Sequence, residues 1–204
     1  MDMYQNFHEL SRHETTDMDF RVRLEERREA KTAVIAPHGG SIEPGTSELA
    51  EAISSSDCHL ALFEGIKATR NRDLHITSTN FDHPAFLDFV RRCGYVVAVH
   101  GERSENNTAY IGGADDRLRR FISDALWSAG FDVQVHTSPS LQGESPDNIC
   151  NKGSSKMGIQ LELARGLRSV MFDSLSANGR VTRTAAFAEF VSAVRSGLAS
   201  AGAL

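Results

Sequence analysis

Apolar positions along this chain follow two rhythms: short runs rich in β-branched residues, and longer stretches in which they recur three or four residues apart. Thr32–Pro37 (TAVIAP), Cys58–Phe63 (CHLALF), Tyr95–Val99 (YVVAV) and Ile159–Leu163 (IQLEL) are of the first kind and predict strands. Leu74–Thr77, Ala109–Ile111 and Phe131–Val135 predict shorter ones. Helical patterns lie between them. Thr46 or Ser47 caps a helix through Leu49, Ala52 and Ile53. Pro84 opens another with Phe86, Phe89, Val90 and Cys93 on one face, and Gly94 closes it. A third carries Leu118, Phe121, Ile122, Ala125 and Leu126, and the last, about Thr182–Leu198, aligns Phe187, Phe190, Val191, Val194 and Leu198.

Strands alternating with helices of this length predict a single α/β domain, with a mixed, mostly parallel sheet and helices on both faces. The Leu74 and Ala109 segments lack a helix-length connection on one side, which calls for some antiparallel pairing. Residues 1–30 are polar and charged and read as an N-terminal arm with a short helix around Tyr4–Leu10, ahead of the main domain over 31–204. The longest irregular stretch, His136–Met157, is rich in Ser, Pro, Gly and Asn; a loop of that length in a compact domain is more often functional than idle.

Composition narrows the function classes. The net charge of −5 carries no nucleic-acid footprint and no attraction to an anionic membrane, so a polyanionic substrate would need a local cationic pocket. The three cysteines, Cys58, Cys93 and Cys150, are odd in number and form no CxxC pair, which favours buried free thiols in a reducing compartment. The first residues show no basic segment leading into an apolar one, and no apolar run is long enough to cross a bilayer. The expected location is the cytoplasm, with release on lysis as the way out.

In open α/β sheets, ligands bind at the carboxyl edge of the strands. His38 follows TAVIAP and His100 follows YVVAV, each succeeded by glycine, and Glu43 lies five residues after His38. Taken singly, each has an ordinary reading as a capping, core or solvated side chain. Together, two imidazoles and a carboxylate are the ligand set of a catalytic zinc that keeps one position open for water. Metal-assisted hydrolysis also needs a base. Glu162 is the candidate: in Gly158–Leu163 it alternates with apolar neighbours and shares a strand face with Gln160, a face that either meets solvent or roofs the site. His75 either approaches the metal or substrate or is a satisfied buried histidine. His59 and His136 read as structural, His83 as a helix-start residue, and Gly112-Gly113 as an anion cradle or a plain turn.

These residues sit in longer motifs. Ala36–Glu48 (APHGGSIEPGTSE) resembles the signature of the poly-γ-glutamate hydrolase family, phage and bacterial zinc peptidases. The likeness continues through Phe63-Glu-Gly, Leu74-His-Ile-Thr-Ser, Val99-His-Gly, Ile111-Gly-Gly-Ala-Asp, Asn148-Ile-Cys-Asn and Gly158–Leu163 to Gly166-Leu-Arg168, in the family's order. The resemblance implies a zinc-carboxypeptidase-like core, with a zinc hydrolase domain over 31–204. It maps the zinc ligands onto His38, Glu43 and His100 and the general base onto Glu162, and it implies cleavage of γ-glutamyl amide linkages in an anionic polymer. Membership of a fold does not fix a substrate. Two other readings are a zinc amidohydrolase acting on an N-acyl amino acid or peptide, and a catalytically idle phage accessory protein that binds without cutting. Arg or Lys partners for substrate carboxylates would come from Lys67, Arg70, Arg72, Lys156, Arg165 and Arg168, among which the sequence does not choose; nor does it fix the oligomeric state.

Overall fold

The computed structural model describes residues 2–204. Its strands are β1 (Phe20–Glu25), β2 (Thr32–Gly40), β3 (His59–Gly65), β4 (Tyr95–Gly101), β5 (Thr108–Gly112), β6 (Asp132–Gln134) and β7 (Ile159–Leu163). The helices are α1 (Phe7–Leu10), α2 (Thr46–Ser54), α3 (Pro84–Arg91), α4 (Asp116–Ser128), α5 (Arg165–Met171) and α6 (Ala185–Ser200). One seven-stranded sheet runs in the order β1-β3-β2-β4-β7-β5-β6. β3, β2, β4 and β7 are parallel, while β1 and β5 pair antiparallel with β3 and β7. The mixed, mostly parallel α/β sheet expected from the pattern is the fold.

Both faces of the central strands are covered, which is why they read as continuous apolar runs rather than alternating ones. Val34, Leu62, Val97 and Leu161 pack on one side with residues of α2, α4, α5 and α6. Ile35, Phe63, Val96 and Ala98 pack on the other with residues of α1 and α3. Helices therefore lie on both faces. Cys58, Cys93 and Cys150 are buried free thiols. Among the described residues, no helix is long and apolar enough to cross a membrane.

Three local elements depart from the sequence reading. Residues 20–25, placed in the arm, form the edge strand β1. Phe20, Val22 and Leu24 alternate into the α1/α3 side of the core, while Arg21 and Arg23 reach Glu64 and Glu51 at 2.9 and 2.6 Å. This short alternation lies beside a dense charge cluster, which masks it. Residues 74–77 are not a strand: a 3₁₀ turn over Asn71–Leu74 leads into an extended crossing. Leu74 and Ile76 are buried in the core, and that alternation mimics a strand without supplying a neighbour to pair with. Helix α5, with Leu167, Arg168 and Met171 buried, was not foreseen.

The topology brings the carboxyl ends of β2, β4 and β7 side by side. In the β4–β7 register, His100 lies opposite Glu162 and Ala98 opposite Gln160, so these side chains share a face. On β2 a register shift between Ala36 and Gly39 inserts an extra residue at Pro37-His38. Without it, His38 would follow Val34 and Ala36 onto the α2/α6 face; the bulge turns it to the face of His100. Proline suits the bulge because it donates no ladder hydrogen bond.

Truncating Phe20 tests whether the N-terminal segment belongs to the core. Its ring is buried and stacks on Phe63 at 5.1 Å between centroids. Phe20→Ala is expected to cost about 3–5 kcal/mol, read as a lower urea midpoint; an unchanged midpoint would mean β1 contributes nothing to the folded core.

Candidate metal centre

Four side chains converge where β2 and β4 end. His38 leaves the bulge of β2, His100 ends β4, Glu43 comes from the loop before α2, and His75 comes from the extended crossing after the 3₁₀ turn. His38, Glu43, His100 and Glu162 are at most 8% exposed, whereas His75 keeps about a quarter of its side chain in solvent. The Glu43 loop is held locally: its N–H donates to the His38 carbonyl at 3.0 Å, and Thr46 Oγ1 donates to the Glu43 carbonyl at 2.8 Å. Gly45, at φ 100°, turns the chain into α2 with Phe172 so close that a Cβ would meet its ring at 2.9 Å.

The hydrogen bonds on the outer side of each ring decide what faces inward. His38 Nε2 lies 2.7 Å from the Ile76 carbonyl, which only accepts, so Nε2 carries the proton and Nδ1 presents a lone pair. His75 Nδ1 lies 2.8 Å from Asp2 Oδ1, which leaves Nε2 facing Glu43 Oε1 at 3.6 Å. His100 Nε2 lies 3.5 Å from Ser78 Oγ, and its Nδ1 points to the centre. The carbonyl behind His38 and the carboxylate behind His75 are the support that metal-bound histidines receive, and the Ser78 hydroxyl stands in that place behind His100.

Distances within the cluster test whether a metal ion fits. His38 Nδ1 is 3.0 Å from His100 Nδ1 and 3.4 Å from Glu43 Oε1, and His100 Nδ1 is 3.7 Å from Glu43 Oε2. Two donors bonded at about 2.0–2.1 Å to one tetrahedral ion stand about 3.3 Å apart. The three edges bracket that value, and a cation between them would satisfy the lone pair of His38 facing His100. His38, Glu43 and His75 also bring one ligand atom each within 4.8 Å of one another. The residues present therefore fit a divalent metal, with His38 and Glu43 common to both triplets.

The two buried carboxylates are driven in opposite directions. Burial alone would raise Glu43, but His38 and His100 outweigh it and hold it well below the usual carboxylate range. Glu162 is pushed well above that range, first by burial and then by the negative charges of Glu43 and Glu102, with Arg168 opposing them. Carboxyls set apart in this way mark an ionised group and a proton-handling group. Glu162 is also oriented: Gln160 Nε2 donates to its Oε1 at 3.0 Å, and Asn148 Nδ2 donates to Gln160 Oε1 at 2.7 Å. These hydrogen bonds occupy Oε1 of Glu162, which lines the cavity over the cluster.

A cavity of about 310 Å³ opens over the cluster, with Arg72, Arg103, Ser140 and Leu141 among its walls. The long loop thus roofs the site. Gly112 and Gly113 are not an anion cradle; Gly113 N–H donates to the Gln142 carbonyl at 2.7 Å, and a Cβ on Gly112 would collide with the same carbonyl. Of the basic residues flanking the motifs, Lys67 pairs with Glu14, Arg70 with Asp73 and Arg165 with Glu105. Arg168 donates to the carbonyls of Leu163, Pro44 and Glu102, and Gly101 is glycine because a Cβ would sit 2.7 Å from that guanidinium. His59 is structural, between the Arg27 N–H and the Ala30 carbonyl, and His83 Nδ1 caps α3. Sequence reasoning missed Asp2 and Arg103. Neither stands in a motif, and only the fold brings them to the cavity.

Comparison with known proteins gives the chain its family. Residues 4–193 match the family model described as poly-gamma-glutamate hydrolase. YmaC of Bacillus subtilis (strain 168) is 37% identical over 196 residues, which is 95% of this chain and 83% of that protein. Bacteriophage poly-gamma-glutamate hydrolase superposes with a TM-score of 0.94 at 29% identity, over 98% of both chains. A zinc-free apo structure of YndL gives a TM-score of 0.90 at 36% identity, again over 98% of both. This chain belongs to the poly-gamma-glutamate hydrolase family of enzymes.

Proposed function

We propose that the protein is a zinc-dependent hydrolase of γ-glutamyl amide linkages in poly-γ-glutamate, with His38, Glu43 and His100 holding the metal, Glu162 as general base and His75 contacting substrate. The observation that carries the reading is the set of edges of 3.0–3.7 Å joining His38 Nδ1, His100 Nδ1 and the Glu43 carboxylate. The zinc-free description of the YndL structure supports zinc as the ion, and the family supports the polymer. His100 is preferred to His75 as third ligand because it sits at the end of a central strand and is almost fully buried. His75 faces the cluster from its open side, where a substrate enters.

A zinc ion so held supplies a Lewis-acidic position that polarises an amide carbonyl and lowers the pKa of a water. The chain's own groups do the rest. Glu162, with Oε1 occupied by Gln160, takes the proton of the attacking water on Oε2. The same carboxyl then delivers that proton to the departing amine nitrogen, so no second acid is needed. Asp2 holds the His75 ring by its Nδ1, leaving Nε2 toward the cavity. The roof of Ser140 and Leu141 limits water around the reacting amide.

Product analysis on γ-linked against α-linked glutamate oligomers tests the substrate: release from the γ-linked series alone is expected, and cleavage of α-linked oligomers at an equal rate would contradict it. Metal analysis separates the two histidines. His100→Ala is expected to lose most of the zinc found at about one ion per chain in the parent, while His75→Ala keeps the zinc and raises KM; the reverse pattern would exchange their roles. Glu162→Gln is expected to retain zinc and lose turnover by about 10²–10⁴-fold, and near-normal turnover would remove Glu162 from its role.

A further inference from the structure

We infer that Arg72 and Arg103 form a carboxylate-binding subsite beside the metal centre, one that engages a free α-carboxylate of the glutamyl residue adjoining the scissile amide. The inference rests on the hydrolase reading for its ligand and on the geometry for its location. Each arginine stands three residues from a histidine of the cluster: Arg72 before His75, on the 3₁₀ turn, and Arg103 after His100, just past β4. Both line the cavity over the metal centre, and both line a second cavity of about 350 Å³ that continues outward past His75. The two cavities make a path from the reacting centre across the guanidiniums.

Among the described residues, these are the cations that line both cavities, and neither has an ion-pair partner there. The carboxylates of the outer cavity are taken: Asp2 accepts from His75 and from the N–H and Oγ1 of Thr77, and Asp73 accepts from Arg70 at 2.7–2.8 Å. Glu102, next to Arg103, accepts from Ser104. Among the described residues, neither Arg72 nor Arg103 forms an ion pair. The two charges feel each other instead: Arg72 is held below the usual arginine range by partial desolvation first and by Arg103 second, against the pull of Glu43. Two guanidiniums on the walls of the same two cavities, in a chain of net charge −5, make a local cationic position beside the metal centre. A γ-linked glutamyl chain offers one carboxylate per residue, and a guanidinium fork matches a carboxylate bidentately.

Equilibrium binding tests this apart from turnover. Labelled γ-linked glutamate oligomers, either with free α-carboxylates or with those groups converted to amides, are titrated into zinc-loaded Glu162→Gln protein and into the same protein carrying Arg72→Ala and Arg103→Ala. Loss of both cations is expected to weaken the free-acid oligomer about tenfold, with a salt dependence that the amidated oligomer lacks, and to leave the amidated oligomer unchanged. Lysine at both positions should restore part of the affinity. Equal affinity in both proteins, equal weakening of both oligomers, or no binding of the acid oligomer to the parent would overturn the subsite. An acid oligomer that binds through the arginines but is left uncut by the wild-type enzyme would count against the hydrolase reading and not against the subsite.

Discussion

Glu43 is a carboxylate shut away from water with three imidazoles around it, and the surrounding architecture follows from keeping it ionised there. A buried charge of that kind is tolerable only with compensation from close on several sides. The Gly101 N–H donates to Oε2 at 2.8 Å, and a cation seated between the carboxylate and the inward nitrogens of His38 and His100, 3.4 and 3.7 Å from it, would supply the rest. These partners come from the ends of two adjacent parallel strands, so the order β2-β4-β7 is what makes the site possible. The bulge at Pro37-His38 has the same purpose, since it turns a ring that would face the helices toward the carboxylate.

Around that centre, the rest of the chain holds the reacting groups still. Glu162 stands in register with His100 and is tied through Gln160 to Asn148, so a central strand and the roofing loop fix it together. Asn151 closes the same loop on itself through the carbonyls of Gly143 and Ser145 and ties it to the start of β7 by accepting from the Gly158 N–H. Arg168 draws the Glu43 loop, the end of β4 and β7 together by donating to Pro44, Glu102 and Leu163. A guanidinium spent on three carbonyls serves positioning and is not open to substrate, which leaves Arg72 and Arg103 as the cavity's free cations.

The parallel core was legible in the sequence because strands covered on both faces are written as unbroken apolar runs, and TAVIAP and YVVAV leave little else to be. His38 and His100 were legible because each closes such a run. Glu162 showed itself by alternating with Ile159, Leu161 and Leu163. Less was written where burial comes from tertiary contact. Phe20, Val22 and Leu24 form a strand only because β3 offers an edge, and Leu74 and Ile76 alternate without a strand partner because they cross the end of the sheet. Asp2 and Arg103 carry no local signal; their place is set by chain elements distant in sequence.

The most direct test of the metal centre is anomalous diffraction at the zinc edge from crystals of the zinc-loaded protein. The account predicts one peak bonded to His38 Nδ1, His100 Nδ1 and the Glu43 carboxylate at about 2.0–2.2 Å, with His75 outside bonding distance and Glu162 facing the open side. A peak elsewhere, or one held by His75 while His100 stands uncoordinated, would contradict it.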